Sequence, residues 1–190
     1  MSKIVVFENI TLDGVIQAPA RADEDTRGGF EHGGWALPYA DPVTGAAAAQ
    51  SIPGASALLL GRRTYEDFHA VWPNRTDNPF TEVLNKTQKY VTSRTLTEPL
   101  PWMNSTLLAG EAADTVSELK HGSDRTIVVL GSGELVATLA RNHLIDEYVL
   151  LIHPLVLGSG RRLLDGRTEL QLVESTTSST GVFIATYRVA

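Results

Sequence analysis

The chain contains no cysteine, which excludes a disulfide scaffold, a thiolate metal site and a cysteine nucleophile. Basic residues are the minority: 16 Lys and Arg stand against 22 Asp and Glu, for a formal charge of −6. That balance argues against a nucleic-acid partner or an anionic membrane surface, and any anionic ligand has to be held by a local basic cluster against the overall field. No apolar run approaches the roughly 18 residues needed to span a bilayer. Lys3 leads straight into the short apolar run at residues 4–7, unlike a secretory leader. The expectation is a soluble, cytoplasmic protein. The histidines, His32, His69, His121, His143 and His153, fall at no metal-ligand spacing, so no metal is expected. Neither a Gly-x-Ser-x-Gly elbow nor a Gly-Lys-Ser/Thr phosphate loop occurs. What is present is 43% hydrophobic and 20% charged residues over 190 positions, enough for one domain, residues 1–190, with a real core.

Short runs rich in β-branched residues predict strands at 4–7, 55–60, 90–92, 106–109, 126–130, 147–152, 170–174 and 182–188. Helical patterns lie between them. Residues 43–52 stop at Pro53-Gly54, and 64–69 open on Thr64-x-x-Asp67, close to a capping box. Asn78-Pro79 precedes 80–86, residues 112–120 end near Gly122 as a left-handed cap, and 134–143 carry Leu135, Val136, Leu139 and Ala140 on one face. Alternating strands and helices predict an α/β fold whose mostly parallel sheet is covered on both faces, with a C-terminal antiparallel hairpin. Residues 18–42 form the longest irregular segment, and long loops in compact domains are usually functional.

Ligands of open α/β sheets bind beyond the carboxyl ends of the strands. Two strand-to-helix joints there have an anion-binding composition. Gly61-Arg62-Arg63-Thr64 offers a close backbone approach, a helix start and two fixed positive charges; it is equally a turn with two solvated arginines. Gly131-Ser132-Gly133-Glu134 repeats the pattern but lacks the third glycine of the dinucleotide fingerprint, since residue 136 is Val136. Glu134 suits the helix dipole but repels a phosphate unless it points away. Ser93-Arg94 could hold one more phosphate, and with the first joint would favour a 2′-phosphate. Gly158-Ser159-Gly160-Arg161-Arg162 is either an anion site or a turn with exposed arginines.

At these residues the chain resembles a known superfamily. Gly61-Arg62-Arg63-Thr64-Tyr65-Glu66 is similar to the cofactor segment of dihydrofolate reductases, and Thr11-Leu12-Asp13-Gly14 to the S-L-D-G segment of the riboflavin-biosynthesis deaminase/reductase group. Gly131-Ser132-Gly133 resembles the second cofactor loop, and the run from Pro154 to Gly160 resembles the P-x-x-x-G-x-G of the riboflavin-type reductases. The resemblance spans nearly the whole chain. It implies a dihydrofolate-reductase-like three-layer α/β/α fold with about eight strands, and NADPH-dependent hydride transfer to a C=N or C=O of a pyrimidine-, pterin- or similar heterocyclic small molecule. It also implies a homodimer, with residues 182–187 and 148–152 as a sheet-mediated contact.

By the same resemblance Arg62, Arg63, Thr64, Ser93 and Arg94 hold the adenosine phosphates, and the joint from Gly61 and that from Gly131 through Leu135 complete the cofactor site. Ile16 and Gln17 lie at the nicotinamide; Asn9, Thr11 and Trp35 face the substrate. Proton delivery falls to Asp41, Asp13 or water. Asp41 also reads as a helix cap, and Asp13-Gly14 as a turn. The zinc deaminase motif is absent, and Glu8-Asn9 stands where the riboflavin-type enzymes have a basic residue. A non-catalytic nucleotide- or flavin-binding protein on the same scaffold is the alternative.

Overall fold

The computed structural model describes residues 1–51, 57–78, 80–122 and 124–190. Eight strands form one sheet: β1 (Lys3–Thr11), β2 (Ala57–Gly61), β3 (Gln88–Ser93), β4 (Ser105–Ala109), β5 (Thr126–Leu130), β6 (Glu147–His153), β7 (Leu170–Thr177) and β8 (Phe183–Val189). Their order is β4-β3-β2-β5-β1-β6-β8-β7. All neighbouring pairs are parallel except β6·β8 and β7·β8, so β8 alone runs against the rest.

The alternation along β1 explains the layers. Ile4, Val6 and Ile10 enter one core with Val116, Leu135, Val136 and Leu139, beneath helices α4 (Ala112–His121) and α5 (Gly133–Arg141). Val5 and Phe7 enter the other with Tyr65 and Leu84 of α2 (Arg62–Val71) and α3 (Phe80–Lys86), flanked by Ala47 and Ala48 of α1 (Pro42–Ser51). A parallel strand covered on both faces reads as a continuous apolar run for this reason. The predicted starts of β2 at 55–56, and the Ile52, Pro53-Gly54 and Pro79 signals, lie outside the described residues.

Local signals fared unevenly. Asn78 does accept the Phe80 N–H through Oδ1 at 2.9 Å. The expected capping box does not form: α2 begins at Arg62 behind Gly61, with no side-chain cap, and Asp67 instead takes Arg21 Nη2 at 2.5 Å. Gly122 has φ −76°, so it is not a left-handed cap. The strands expected to carry a dimer contact have no free edge. β8 lies between β6 and β7, and β6 between β1 and β8; the sheet ends on β4 and β7.

The long loop after β1 is ordered by a core of its own, in which Val15, Ala18, Phe30 and Trp35 bury one another. Gln17 ties it down: Nε2 donates to the carbonyls of Asp25 and Arg27 at 3.1 and 2.9 Å, and Oε1 accepts the Arg161 N–H at 3.0 Å. A Cβ at Gly160, where φ is +114°, would stand 2.7 Å from both Phe30 and Val15, so this loop needs glycine there to close on its neighbour.

Candidate functional site

β1 pairs with β5 only as far as Phe7–Leu130, but with β6 on to Thr11–His153. From Glu8 onward β1 therefore parts from β5, and a cleft opens at the carboxyl ends of the parallel strands, the position that strand topology prescribes. Its volume is about 1100 Å³, at the top of the range for small-ligand sites.

The two glycine joints line the cleft. Gly61 N–H donates to Ser132 Oγ at 3.0 Å, and Ser132 Oγ donates to the Leu130 carbonyl at 3.1 Å, so that hydroxyl stitches the joints together. Gly131 has φ +54° and Ser132 φ +62°, a left-handed pair that turns the chain into α5. Thr64 packs on Gly131, where an added Cβ would meet its methyl at 3.2 Å, and Ile16 lies over Gly133. Ser93 Oγ caps the turn after β3, accepting Thr95 and Leu96 N–H at 3.0 Å each.

The arginines of the cleft are already paired. Arg62 meets Glu66 at 3.0 Å and Arg94 meets Glu111 at 3.2 Å. Glu134 Oε1 collects three guanidinium groups from three segments: Arg63 at 2.9 Å, Arg161 at 2.8 Å and Arg27 at 3.2 Å. These cations hold the Glu134 carboxyl below its ordinary value, against the desolvation that opposes them. All these pairs are solvent-accessible and each is worth little, about 0–1 kcal/mol. A phosphate can take the guanidinium groups over. Glu134→Gln removes the competing carboxylate without removing a donor. It is expected to tighten a phosphate-bearing ligand of this cleft about two- to five-fold at low salt, measured by titration calorimetry, with little change in thermal stability.

Glu8 and Asn9 line the cleft where β1 leaves β5. Glu8 is 4% exposed, and its Oε1 has no hydrogen-bond partner among the described residues. Burial, and secondarily the nearby Glu24, push its carboxyl well above the ordinary value. On the opposite face of β1, Asn9 Oδ1 faces His153 Nε2 at 2.9 Å, and His153 packs edge-on against Trp35 and Tyr39. Burial lowers the imidazole to about 4. The ring is neutral at pH 7, carries its proton on Nε2, and leaves the Asn9 amide N–H groups for a ligand.

That depression has a measurable consequence. The folded chain keeps His153 unprotonated where the unfolded chain takes up a proton, so the stability it contributes is full above pH 6.5 and is lost as the pH falls toward 4. Denaturant unfolding is expected to show the difference between the wild type and His153→Gln shrinking by up to about 3 kcal/mol over that window.

Every residue assigned to the cofactor on sequence lines this cleft: Ile16, Gln17, Gly61, Arg62, Arg63, Thr64, Ser93, Arg94 and Gly131 through Leu135, together with Asn9 from the substrate set. Gln17, however, spends its side chain on the loop, and Ser132 its hydroxyl on the joint. The remaining substrate-side and acid assignments need correction, because these residues do not line the cleft. Asp41 caps α1, accepting the N–H groups of Val43 and Thr44 at 3.0 and 2.8 Å, and holds Ser179 with its other oxygen at 2.8 Å. Those donors pull its carboxyl far down. Asp13 accepts Thr11 Oγ1 at 2.6 Å and the N–H groups of Leu157 and Gly158 at 3.2 and 2.8 Å, which lowers it to about 2. Thr11 also takes the Val15 N–H at 2.9 Å, and buried Trp35 gives its Nε1–H to the Gln17 carbonyl at 2.7 Å. These four shape the loop. Glu8 is the residue that the sequence reading passed over. In the sequence it shows only as one acid in an otherwise apolar run.

The model of the RibD C-terminal domain matches residues 2–184. The uncharacterized protein YyaP of Bacillus subtilis (strain 168) is 31% identical over 141 residues, 68% of this chain and 72% of its own length. Among solved structures, a protein provisionally assigned to riboflavin biosynthesis from Shewanella sp. PV-4 superposes with TM-score 0.72 at 23% identity, covering 99% of both chains. A pyrimidine reductase-like protein from Corynebacterium diphtheriae gives TM-score 0.68 at 12% identity, over 99% of this chain and 92% of that one. RibD of Acinetobacter baumannii gives 0.63 at 14%, over all of this chain and 58% of its own.

Proposed function

The chain belongs to the RibD C-terminal domain family, and from that premise we propose that it is an NADPH-dependent reductase of a C=N or C=O bond in a flat heterocyclic small molecule. The observation that carries the reading is the cleft itself. It is lined by two backbone joints and a set of arginines, and by a buried carboxyl and an amide where β1 leaves β5. The donor set fits the cofactor. Arg62, Arg63 and Arg94 are cations that can exchange an exposed carboxylate for a phosphate. Gly131 and Gly133 bring backbone and the start of α5 to the pyrophosphate side. When bound, NADPH supplies the hydride; the chain binds, orients and excludes water. Ile16, which lies over Gly133, lines the cleft at the second joint, and Asn9, fixed by His153, orients the acceptor.

The non-catalytic alternative does not explain why a buried carboxyl in the cleft is kept unpaired, since such burial is costly without a use. The test follows absorbance at 340 nm with NADPH and a panel of pyrimidine and pterin imines and carbonyls. The expected result is turnover dependent on both partners. Saturable NADPH binding with no turnover across the panel would favour a binding protein. The homodimer stays within this proposal, with β4 and β7 as the edges open to strand pairing; a monomer by light scattering would count against it.

A further inference from the structure

We infer that Glu8 is the acid that hands a proton to the substrate, and that the cleft takes a heterocycle whose reducible carbon is doubly bonded to a ring nitrogen. The inference rests on the reductase reading above and deepens it.

A carboxyl donates a proton only if it enters the site neutral. The other acids lining the cleft are committed as acceptors. Asp25 takes Arg27 at 2.5 Å, Asp67 takes Arg21 at 2.5 Å, and Asp23 lies 3.5 Å from Arg21. Glu111 pairs with Arg94, and Glu134 with its three guanidinium groups. Burial raises the Glu24 carboxyl too, but its Oε2 is already held, accepting the N–H groups of Ala20 and Arg21 at 2.8 and 3.2 Å. Cations and N–H donors stabilise the ionised form. No such donor meets Glu8 among the described residues, and the charged group that acts on it is Glu24, a second carboxyl from the loop across the cleft. Burial and a like charge both favour the protonated form. The place is right as well: Glu8 is the first residue of β1 beyond its pairing with β5, where the cleft begins.

The electron count closes on this arrangement. Bound NADPH would supply the C=N carbon with a hydride and its electron pair. The π pair moves to nitrogen, and nitrogen takes the Glu8 proton as the O–H bond breaks. The products are the C–H/N–H compound, NADP⁺ and a Glu8 carboxylate, which regains a proton from solvent as product leaves. A carboxylic acid also matches an amidine-like edge at two points. Its O–H meets the ring nitrogen and its C=O meets an adjacent N–H. That geometry favours a ring nitrogen over a bare ketone.

The test uses 2-aminopyridine, which presents this edge and whose absorption spectrum distinguishes its neutral and protonated forms. It is titrated into the full chain, with and without NADPH, one pH unit above the probe's own pKa. The expected result is saturable binding with the spectrum of the cation, because the probe has taken the Glu8 proton. Glu8→Gln is expected to bind at least about 10-fold more weakly, with a neutral spectrum, the loss being that of a charge-assisted bond. Glu8→Asp, which keeps the acid, should recover the cation signature. Thermal unfolding verifies that both variants are folded. Equal affinity for wild type and Glu8→Gln, a neutral spectrum on the wild type, or no saturable binding would overturn the assignment. Failure of NADPH to bind would strike the reductase reading instead, since the probe arm is also read without the nucleotide.

Discussion

The double substitution Arg62→Ala/Arg63→Ala is expected to weaken NADPH binding by about 100-fold or more while changing NADH binding by only a few-fold. Each guanidinium that meets a phosphate forms a charge-assisted bond worth about 1.5–3 kcal/mol, and two together exceed the roughly 2.7 kcal/mol that 100-fold requires. The discrimination arises because NADH lacks the 2′-phosphate. Both side chains project from the first turn of α2, at the cleft, and their present partners are exposed carboxylates that hold them only weakly. Stability should barely move, for the same reason. Equal losses for the two nucleotides, measured by calorimetric titration in parallel, would place the arginines at the pyrophosphate or outside the site.

The second large effect is on stability and has an unusual sign. Glu8→Gln is expected to make the chain more stable than the wild type at pH 8, with the gain disappearing toward pH 4.5. The folded state holds the Glu8 proton at pH values where the unfolded chain, near 4.5, has released it. Stability from this group is therefore present below the unfolded value and is lost as the pH rises through the raised folded value. The glutamine has no proton to lose, so its advantage grows with pH. Urea unfolding at pH 4.5 and pH 8 reads it directly: similar midpoints at the lower pH, a higher midpoint for the variant at the upper. A stabilising substitution inside a ligand cleft is the behaviour expected of a residue kept for function at a cost in stability. A variant less stable at both pH values would show that Glu8 serves the fold.

Much of the fold was legible because parallel strands buried on both faces must be apolar and β-branched, as residues 4–7 and 126–130 are. The two glycine joints were legible for a related reason: backbone geometry at a strand-to-helix turn leaves few choices of residue. The acids were not. Asp13 and Asp41 carry turn and cap signatures, and the structure uses them that way, through donors that come from far along the chain at Leu157, Gly158 and Ser179. Trp35 and Thr11 likewise found partners inside the β1 loop, whose private core no periodicity announces. Glu8 escaped because a single acid in an apolar run has no pattern. Its meaning comes from the point where β1 leaves β5, and that is a property of strand order.

The central claim is that this cleft is an NADPH site with its reactive end at Glu8. The most direct test is a pair of calorimetric titrations of the full chain with NADPH and NADH at low salt. The account predicts saturable one-to-one binding of NADPH, at least about 10-fold tighter than NADH, as expected if the arginines of the cleft reach a 2′-phosphate. Binding of neither nucleotide would contradict it, and would leave the glycine joints and arginines serving another ligand or the fold alone.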